Sequence, residues 1–235
     1  MRILITGTSS GIGHGLAMEY VSRGNEVMGI SRRDAGSLDG EGQYQHLRLD
    51  LTDYRKVEEE VPGFLQGISK LDLVILNAGV LGEVGLMSEV DVEKMKRVME
   101  INVWANKVLL DVLFRQVDAV SQVVGMSTKS ALRSSPGWGP YSVSKAGLNM
   151  LMNVYAKERS ETHFIAFAPG LVDSEIQEEI YAMEETGKYP AIERLQEARH
   201  TDEMPDPGTA APRLIWGMEK ALEHESGSFL DVRDM

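Results

Sequence analysis

The chain contains no cysteine, which excludes disulfides, thiolate catalysis and cysteine-ligated metals. It also lacks any apolar run near the roughly 20 residues that a membrane-spanning helix needs. Basic residues are the minority charge: 24 Lys and Arg stand against 36 Asp and Glu, a formal net charge of −12. A nucleic-acid surface needs a basic footprint, so no nucleic-acid partner is expected. The five histidines, His14, His46, His163, His200 and His224, are scattered, with none in a His-x-x-x-His spacing. No metal site is expected from them. There is no internal repeat, low-complexity tract or linker. Strand-like sequence starts at Arg2, which leaves no room for a signal or transit peptide, so the default expectation is a soluble cytoplasmic protein. At 235 residues, one α/β domain covering 1–235 is the natural size.

What is present is alternation. Apolar runs suited to strands lie at 2–6, 26–30, 45–49, 71–76, 120–126, 163–168 and 228–232. Helical patterns separate them, at about 12–23, 53–61, 88–116, 140–159 and 209–223. Strands and helices in alternation predict a Rossmann-type, doubly wound, seven-stranded parallel sheet with helices on both faces. Ligands in such sheets bind at the carboxyl ends of the strands. Gly7, Arg32, Asn77, Thr128 and Pro169 all follow strands, so they are expected along one edge. Residues 174–208 break the alternation and are expected to form short helices that act as a lid over the site. Ile180, Tyr181 and Met183 are candidate contacts within it, and Trp138 is either a pocket wall or core.

The first strand runs into Thr6-Gly7-Thr8-Ser9-Ser10-Gly11-Ile12-Gly13 and then a helical pattern. Gly7 can adopt a backbone angle that other residues resist. Gly11 and Gly13 remove side chains where amides at a helix N-terminus would approach a pyrophosphate. The second strand ends in Ser31-Arg32-Arg33. An acidic residue there would bind a ribose 2′-hydroxyl, whereas Arg accommodates a 2′-phosphate. The two guanidiniums favour NADP(H) over NAD(H), with Asp34 able to neutralise them in part.

Tyr141 and Lys145 stand four residues apart, about one turn on a helix of about 3.6 residues per turn. A phenol with an ordinary pKa of about 10 becomes more acidic beside a fixed cation. Such a pair can exchange a proton with a carbonyl or alcohol oxygen.

Taken in order, these motifs resemble the short-chain dehydrogenase/reductase family. Thr6-Gly7-x-x-x-Gly11-x-Gly13 resembles its cofactor turn, including Ser9, Ser10 and Ile12. Asp50-Leu51 resembles the adenine segment, and Asn77-Ala78-Gly79 the family's Asn-Ala-Gly. Pro169-Gly170-Leu171-Val172-Asp173-Ser174 resembles the turn that binds the nicotinamide carboxamide. The resemblance implies that Tyr141 is the general acid/base and that Lys145 lowers its pKa and grips the nicotinamide ribose. Asn102 would break a long helix and hold a water linking Lys145 to solvent. The family's catalytic Ser lies thirteen residues before the Tyr, where this chain has Thr128, with Ser127 as the neighbouring choice. Ser174 replaces a common Thr, and Ser10 leaves no basic residue inside the glycine turn. Gly137-Trp138-Gly139-Pro140-Tyr141 is similar to the sepiapterin and benzil reductase branch, which implies aromatic or vicinal dicarbonyl substrates. The implied activity is hydride transfer between NADP(H) and a small ketone, aldehyde or secondary alcohol by a homodimer or homotetramer. Pairing would use the helices carrying Asn102 and Tyr141, whose Val103, Leu110 and Val154 suit either core or interface. Two rivals differ: an NADP(H)-binding regulatory or sensor protein with little turnover, and a sugar-nucleotide epimerase, which needs a larger C-terminal substrate domain.

Overall fold

Strands covered on both faces by helices read as nearly unbroken apolar runs, and the seven predicted runs each become a strand. The computed structural model describes residues 1–38, 40–183 and 188–235. The strands are β1 (Arg2–Thr6), β2 (Glu26–Ser31), β3 (Tyr44–Arg48), β4 (Lys70–Leu76), β5 (Ala119–Met126), β6 (His163–Ala168) and β7 (Ser228–Asp231). They form one sheet in the order β3-β2-β1-β4-β5-β6-β7, and all neighbours run parallel. The chain winds outward one way from β1 to β3, then returns to add β4 on the other side of β1. That reversal opens a crevice at the carboxyl ends of β1 and β4.

Among the described residues, eight α-helices accompany the sheet: α1 (Gly11–Ser22), α2 (Tyr54–Phe64), α3 (Val92–Met99), α4 (Ala105–Gln116), α5 (Gly139–Glu158), α6 (Glu178–Tyr181), α7 (Pro190–Ala198) and α8 (Pro207–Lys220). Alternation along β1 sends Leu4 to one face and Ile3 and Ile5 to the other. On the Leu4 face the sheet packs against Val57 and Val61 of α2, Leu109 and Leu113 of α4, and Leu148 and Met152 of α5. On the opposite face it packs against Leu16 and Tyr20 of α1 and Leu214, Ile215 and Met218 of α8.

The predicted helix at 88–116 is divided. Asp91 caps α3 by accepting from the Glu93 and Lys94 amides, which sets the start at 92. A π-helical turn at Glu100–Trp104 then separates α3 from α4. Helix α8 begins two residues earlier than its pattern because Asp206 caps it and Pro207 occupies its first turn. Val103 and Leu110 belong to the core, whereas Val154 is exposed together with Trp104, Val143 and Met150. The lid region becomes a 3₁₀ turn at Glu175–Gln177, α6 and α7; its residues 184–187 lie outside the described residues. Among the described residues, no helix is long and apolar enough to cross a membrane.

Candidate active site

The turn after β1 is fixed by Thr6 and Asn77. The Thr6 hydroxyl accepts from the Asn77 and Ala78 amides, each at 3.0 Å. The Asn77 side-chain amide donates to the carbonyls of Thr6 (3.0 Å) and Gly7 (3.4 Å). Gly7 sits at φ 76°, and a Cβ there would press on Asn77 Nδ2 at 2.9 Å. The two strand ends flanking the crevice are thereby locked together. A Cβ on Gly13 would run into the Gly7 carbonyl, so Gly13 lets α1 pack against the turn.

A cavity of about 520 Å³ runs along this edge of the sheet. Of the expected residues, Gly7, Ser9, Ser10, Gly11, Ile12, Arg32, Arg33, Asp50, Leu51, Asn77, Ala78, Gly79, Ser127, Tyr141, Lys145, Pro169 and Ser174 line it. Gly13, Asn102, Thr128, Gly170 and Val172 stand back from its wall. Gly170 adopts φ 77° and packs under Arg233, and Val172 is buried in the core on the α8 face. Ser31, Thr52, Val80, Leu81, Met126, Glu175 and Ile176 also line the cavity without having been singled out by motif.

Asn102 is fully buried. Its Oδ1 accepts from the Val80 amide, and its Nδ2 donates to the Val80 carbonyl and to Ser144 Oγ, each at 2.9 Å. The Ser144 hydroxyl in turn donates to the Tyr141 carbonyl at 2.8 Å. The side chain therefore ties the β4 loop to the first turns of α5. Both ends of its amide bond protein groups. The Asn102 carbonyl accepts from the Asn106 side chain at 2.9 Å.

Helix α5 starts at Gly139-Pro140 and carries Tyr141 and Lys145 to the cavity floor. The Lys145 ammonium donates to the Met126 carbonyl at 2.7 Å and lies 5.6 Å from the centre of the Tyr141 ring. The sequence reading has the cation acidifying the phenol. Among the protein's own groups, burial outweighs that effect and disfavours both charged forms. It pushes the Tyr141 phenol up to about 12 and the Lys145 ammonium down to about 8.

The depressed lysine has a consequence for stability. Between about pH 8 and the ordinary lysine value of 10.5, the unfolded chain holds this proton and the native state does not. Stability from this site therefore rises with pH across that window, while Tyr141 acts oppositely only above about 10. From about pH 7.5 to about pH 9.5 the wild type is expected to gain roughly 2 kcal/mol relative to Lys145→Met. Urea melts of both proteins at the two pH values check this, and parallel changes would contradict it.

The candidate hydroxyls differ in what they bond. Ser127 Oγ donates to Asn149 Oδ1 at 2.5 Å. Thr128 Oγ1 accepts from the amide and the hydroxyl of Ser130, both at 3.3 Å, which caps the short turn at Lys129–Ala131.

The other end of the cavity is basic. Arg33 Nη2 lies 2.7 Å from Glu175 Oε2, whereas Asp34 Oδ2 is 4.0 Å from Arg48 Nη1. The carboxylate on Arg33 is thus Glu175 and not the expected Asp34. The hydrogen bonds from Arg33 and Ser10 hold the Glu175 carboxyl below its usual range. Asp50 accepts from the Thr52 amide (3.0 Å) and hydroxyl (2.8 Å). Burial pushes its carboxyl up, but those bonds with the nearby Arg32 and Arg97 charges bring the net shift down. Asp53 caps α2 through the Lys56 amide.

Beside Tyr141, α6 and α7 are held to the body by an apolar cluster of Leu81, Trp138, Ile180, Tyr189 and Ile192, with Met183 and Tyr141 packed against it. The Trp138 and Tyr141 rings are 6.2 Å apart. Trp138 is therefore both packed and adjacent to the phenol. Tyr181 turns instead to Arg199, whose guanidinium lies 3.7 Å from its ring centre.

The short chain dehydrogenase family model matches residues 1–185. A benzil reductase ((S)-benzoin forming) of Saccharomyces cerevisiae is 30% identical, over 99% of this chain and 95% of its own length. A benzil reductase ((S)-benzoin forming) of Bacillus subtilis is 28% identical, covering 98% of each chain. A sepiapterin reductase of Meriones unguiculatus is 28% identical over 98% of this chain and 95% of its own. Among solved structures, a short chain dehydrogenase/reductase from Saccharomyces cerevisiae superposes with a TM-score of 0.86 at 25% identity, covering 99% of this chain and 96% of that one.

Proposed function

The chain belongs to the short chain dehydrogenase family of oxidoreductases, and on that footing we propose that it is an NADP(H)-dependent carbonyl reductase, or an alcohol dehydrogenase in the reverse direction. The observation that carries the reading is one cavity with the Tyr141–Lys145 pair at one end and the Arg32–Arg33 pair at the other. The cradle between them suits a dinucleotide. A Cβ on Gly79 would come within 3.0 Å of Asn102 Oδ1 and 3.4 Å of Lys145 Nζ, and one on Gly11 within 3.4 Å of the Ser174 side chain. At Gly11 the backbone, at φ 58°, also disfavours any side chain.

When bound, the reduced nicotinamide supplies the hydride. Arg32, Arg33 and Ser10 would hold the 2′-phosphate, Asp50 and Leu51 the adenine, Asn77 to Gly79 the cofactor's central stretch, Lys145 the ribose, and Pro169 to Ser174 the carboxamide. Tyr141 donates its phenolic proton to the substrate oxygen. Burial keeps that phenol protonated at neutral pH, the form a donor needs, and the Lys145 charge stabilises the phenolate left behind. Thr128, or Ser127 in its place, orients the substrate oxygen: Thr128 stands back from the cavity wall but keeps its own proton available, whereas Ser127 lines the cavity with its proton directed at Asn149. Thr128→Ala is then expected to lower kcat by about 10- to 100-fold, with Ser127→Ala affecting it less. The opposite ranking in steady-state assays would move the role to Ser127.

For the substrate class, Trp138 packs beside Tyr141 within an apolar cluster, a surrounding that suits an aromatic ketone, and the relatives above include two named benzil reductases. Aromatic vicinal dicarbonyls are the first choice. We treat residues 1–235 as one domain with 174–208 as its lid. Pairing into a homodimer or homotetramer would use the exposed Val143, Met150 and Val154 of α5 with Trp104. The test is cofactor consumption with NADPH and NADH over benzil, aryl ketones, aldehydes and aliphatic ketones. Turnover of benzil with NADPH is expected. Cofactor binding without turnover across the whole panel would overturn the enzymatic reading in favour of a sensor.

A further inference from the structure

Three distant parts of the chain meet at the basic end of the cavity. Ser10 comes from the glycine turn, Arg33 from the turn after β2, and Glu175 from the start of the lid. Arg33 Nη2 donates to Glu175 Oε2 at 2.7 Å and to Ser10 Oγ at 3.0 Å. The Ser10 hydroxyl donates to the same Glu175 oxygen at 2.8 Å. All three residues line the cavity. The Glu175 carboxylate therefore takes up Arg33 and Ser10, two of the three residues that the proposed function assigns to a cofactor 2′-phosphate.

Carboxylates and phosphates present similar oxygen geometry to a guanidinium fork. They differ in charge: a carboxylate carries one negative charge, a phosphate monoester about 1.5 to 2 at neutral pH. Both cannot bond the same Arg33 and Ser10 donors at close range without strong mutual repulsion.

We propose that Glu175 is a built-in competitor for the 2′-phosphate site, a specificity-determining residue that lowers affinity for NADP(H) without touching affinity for NAD(H). This rests on the NADP(H) reading. A cofactor with a 2′-phosphate must displace the carboxylate from Arg33 and Ser10, whereas one with a free 2′-hydroxyl leaves the pair in place. The side chains of Arg33 and Glu175 are 62% and 59% exposed, so the competition is modest, and relieving it is worth about two- to fivefold in affinity.

The experiment uses 2′,5′-ADP and 5′-AMP as probes, titrated by calorimetry into the full chain. Glu175→Gln should tighten 2′,5′-ADP by about two- to fivefold and leave 5′-AMP nearly unchanged. In a Ser10→Ala, Arg33→Ala background the same substitution should lose its effect, because both shared donors are gone. Equal tightening of both probes would show a general charge effect and overturn the proposal. So would a gain that persists without Ser10 and Arg33, or weaker 2′,5′-ADP binding by Glu175→Gln, which would make Glu175 an organiser of Arg33. Failure of the underlying reading looks different: the wild type would bind 2′,5′-ADP no better than 5′-AMP, and the inference would fall with it.

Discussion

Replacing Tyr141 by Phe is expected to lower kcat/KM for carbonyl reduction by about 10²–10⁴-fold, the range that a positioned proton donor supplies. The substitution removes one oxygen from a side chain whose ring packs against the lid cluster, so the ring and its contacts remain. Tyr141 lies at the end of the cavity opposite Arg32 and Arg33, and 2′,5′-ADP binding should stay within about twofold of wild type because its contacts are untouched. The comparison is steady-state NADPH oxidation beside calorimetric binding of 2′,5′-ADP on the same preparations. Retained turnover by Tyr141→Phe would remove the phenol from the mechanism. Loss of both turnover and binding would instead mark a folding defect, which a thermal melt distinguishes.

The second large effect belongs to the other end of the cavity. Removing both guanidiniums in Arg32→Ala, Arg33→Ala is expected to reduce the preference for NADPH over NADH by about 10²-fold or more. Each hydrogen bond to a charged group contributes about 1.5–3 kcal/mol, and two of them face the same phosphate in the proposed arrangement. The change should appear as a higher KM for NADPH, with the NADH parameters nearly fixed. Arg33→Ala alone should cost less than its share, because the same residue also binds Glu175. An unaltered preference in the double variant would show that discrimination lies elsewhere, for which Arg48 is placed: its Nε donates to the Arg32 carbonyl at 3.0 Å.

How much of this was legible in the sequence depends on the range of the interaction. Strand positions follow from local apolar runs, and β1 and β6 match their predicted limits, while β3 begins one residue earlier than expected. The helical pattern at 88–116 is divided by a cap at Asp91 and a π turn around Asn102; a broad periodicity averages both away, whereas the family resemblance anticipates the break at Asn102. Within the site, spacing brings Gly7, Asn77, Tyr141 and Lys145 to one cavity, since each follows a strand or begins a helix of an alternating fold. Spacing does not separate residues that line a cavity from residues that let it form. Gly13 and Asn102 are of the second kind, one making room for the Gly7 carbonyl and the other clamping Val80. Glu175 lies 165 positions from Ser10, and no local pattern joins them. A trace was present nonetheless: a carboxylate directly after Ser174, in a turn already assigned to the site, opposite two unbalanced arginines. The pKa directions were not legible at all, because a pairwise view of Tyr141 and Lys145 omits the burial that dominates both.

The most direct measurement is the fate of the hydride itself. Benzil is incubated with the protein and NADPH carrying deuterium at C4, prepared separately on each face, and the product is analysed promptly by mass spectrometry. One labelled face should deliver a single deuterium to the carbinol carbon of benzoin, the other none. Benzoin formed without label from either face, or no reduced product from any carbonyl tried while NADPH binds, would contradict the account.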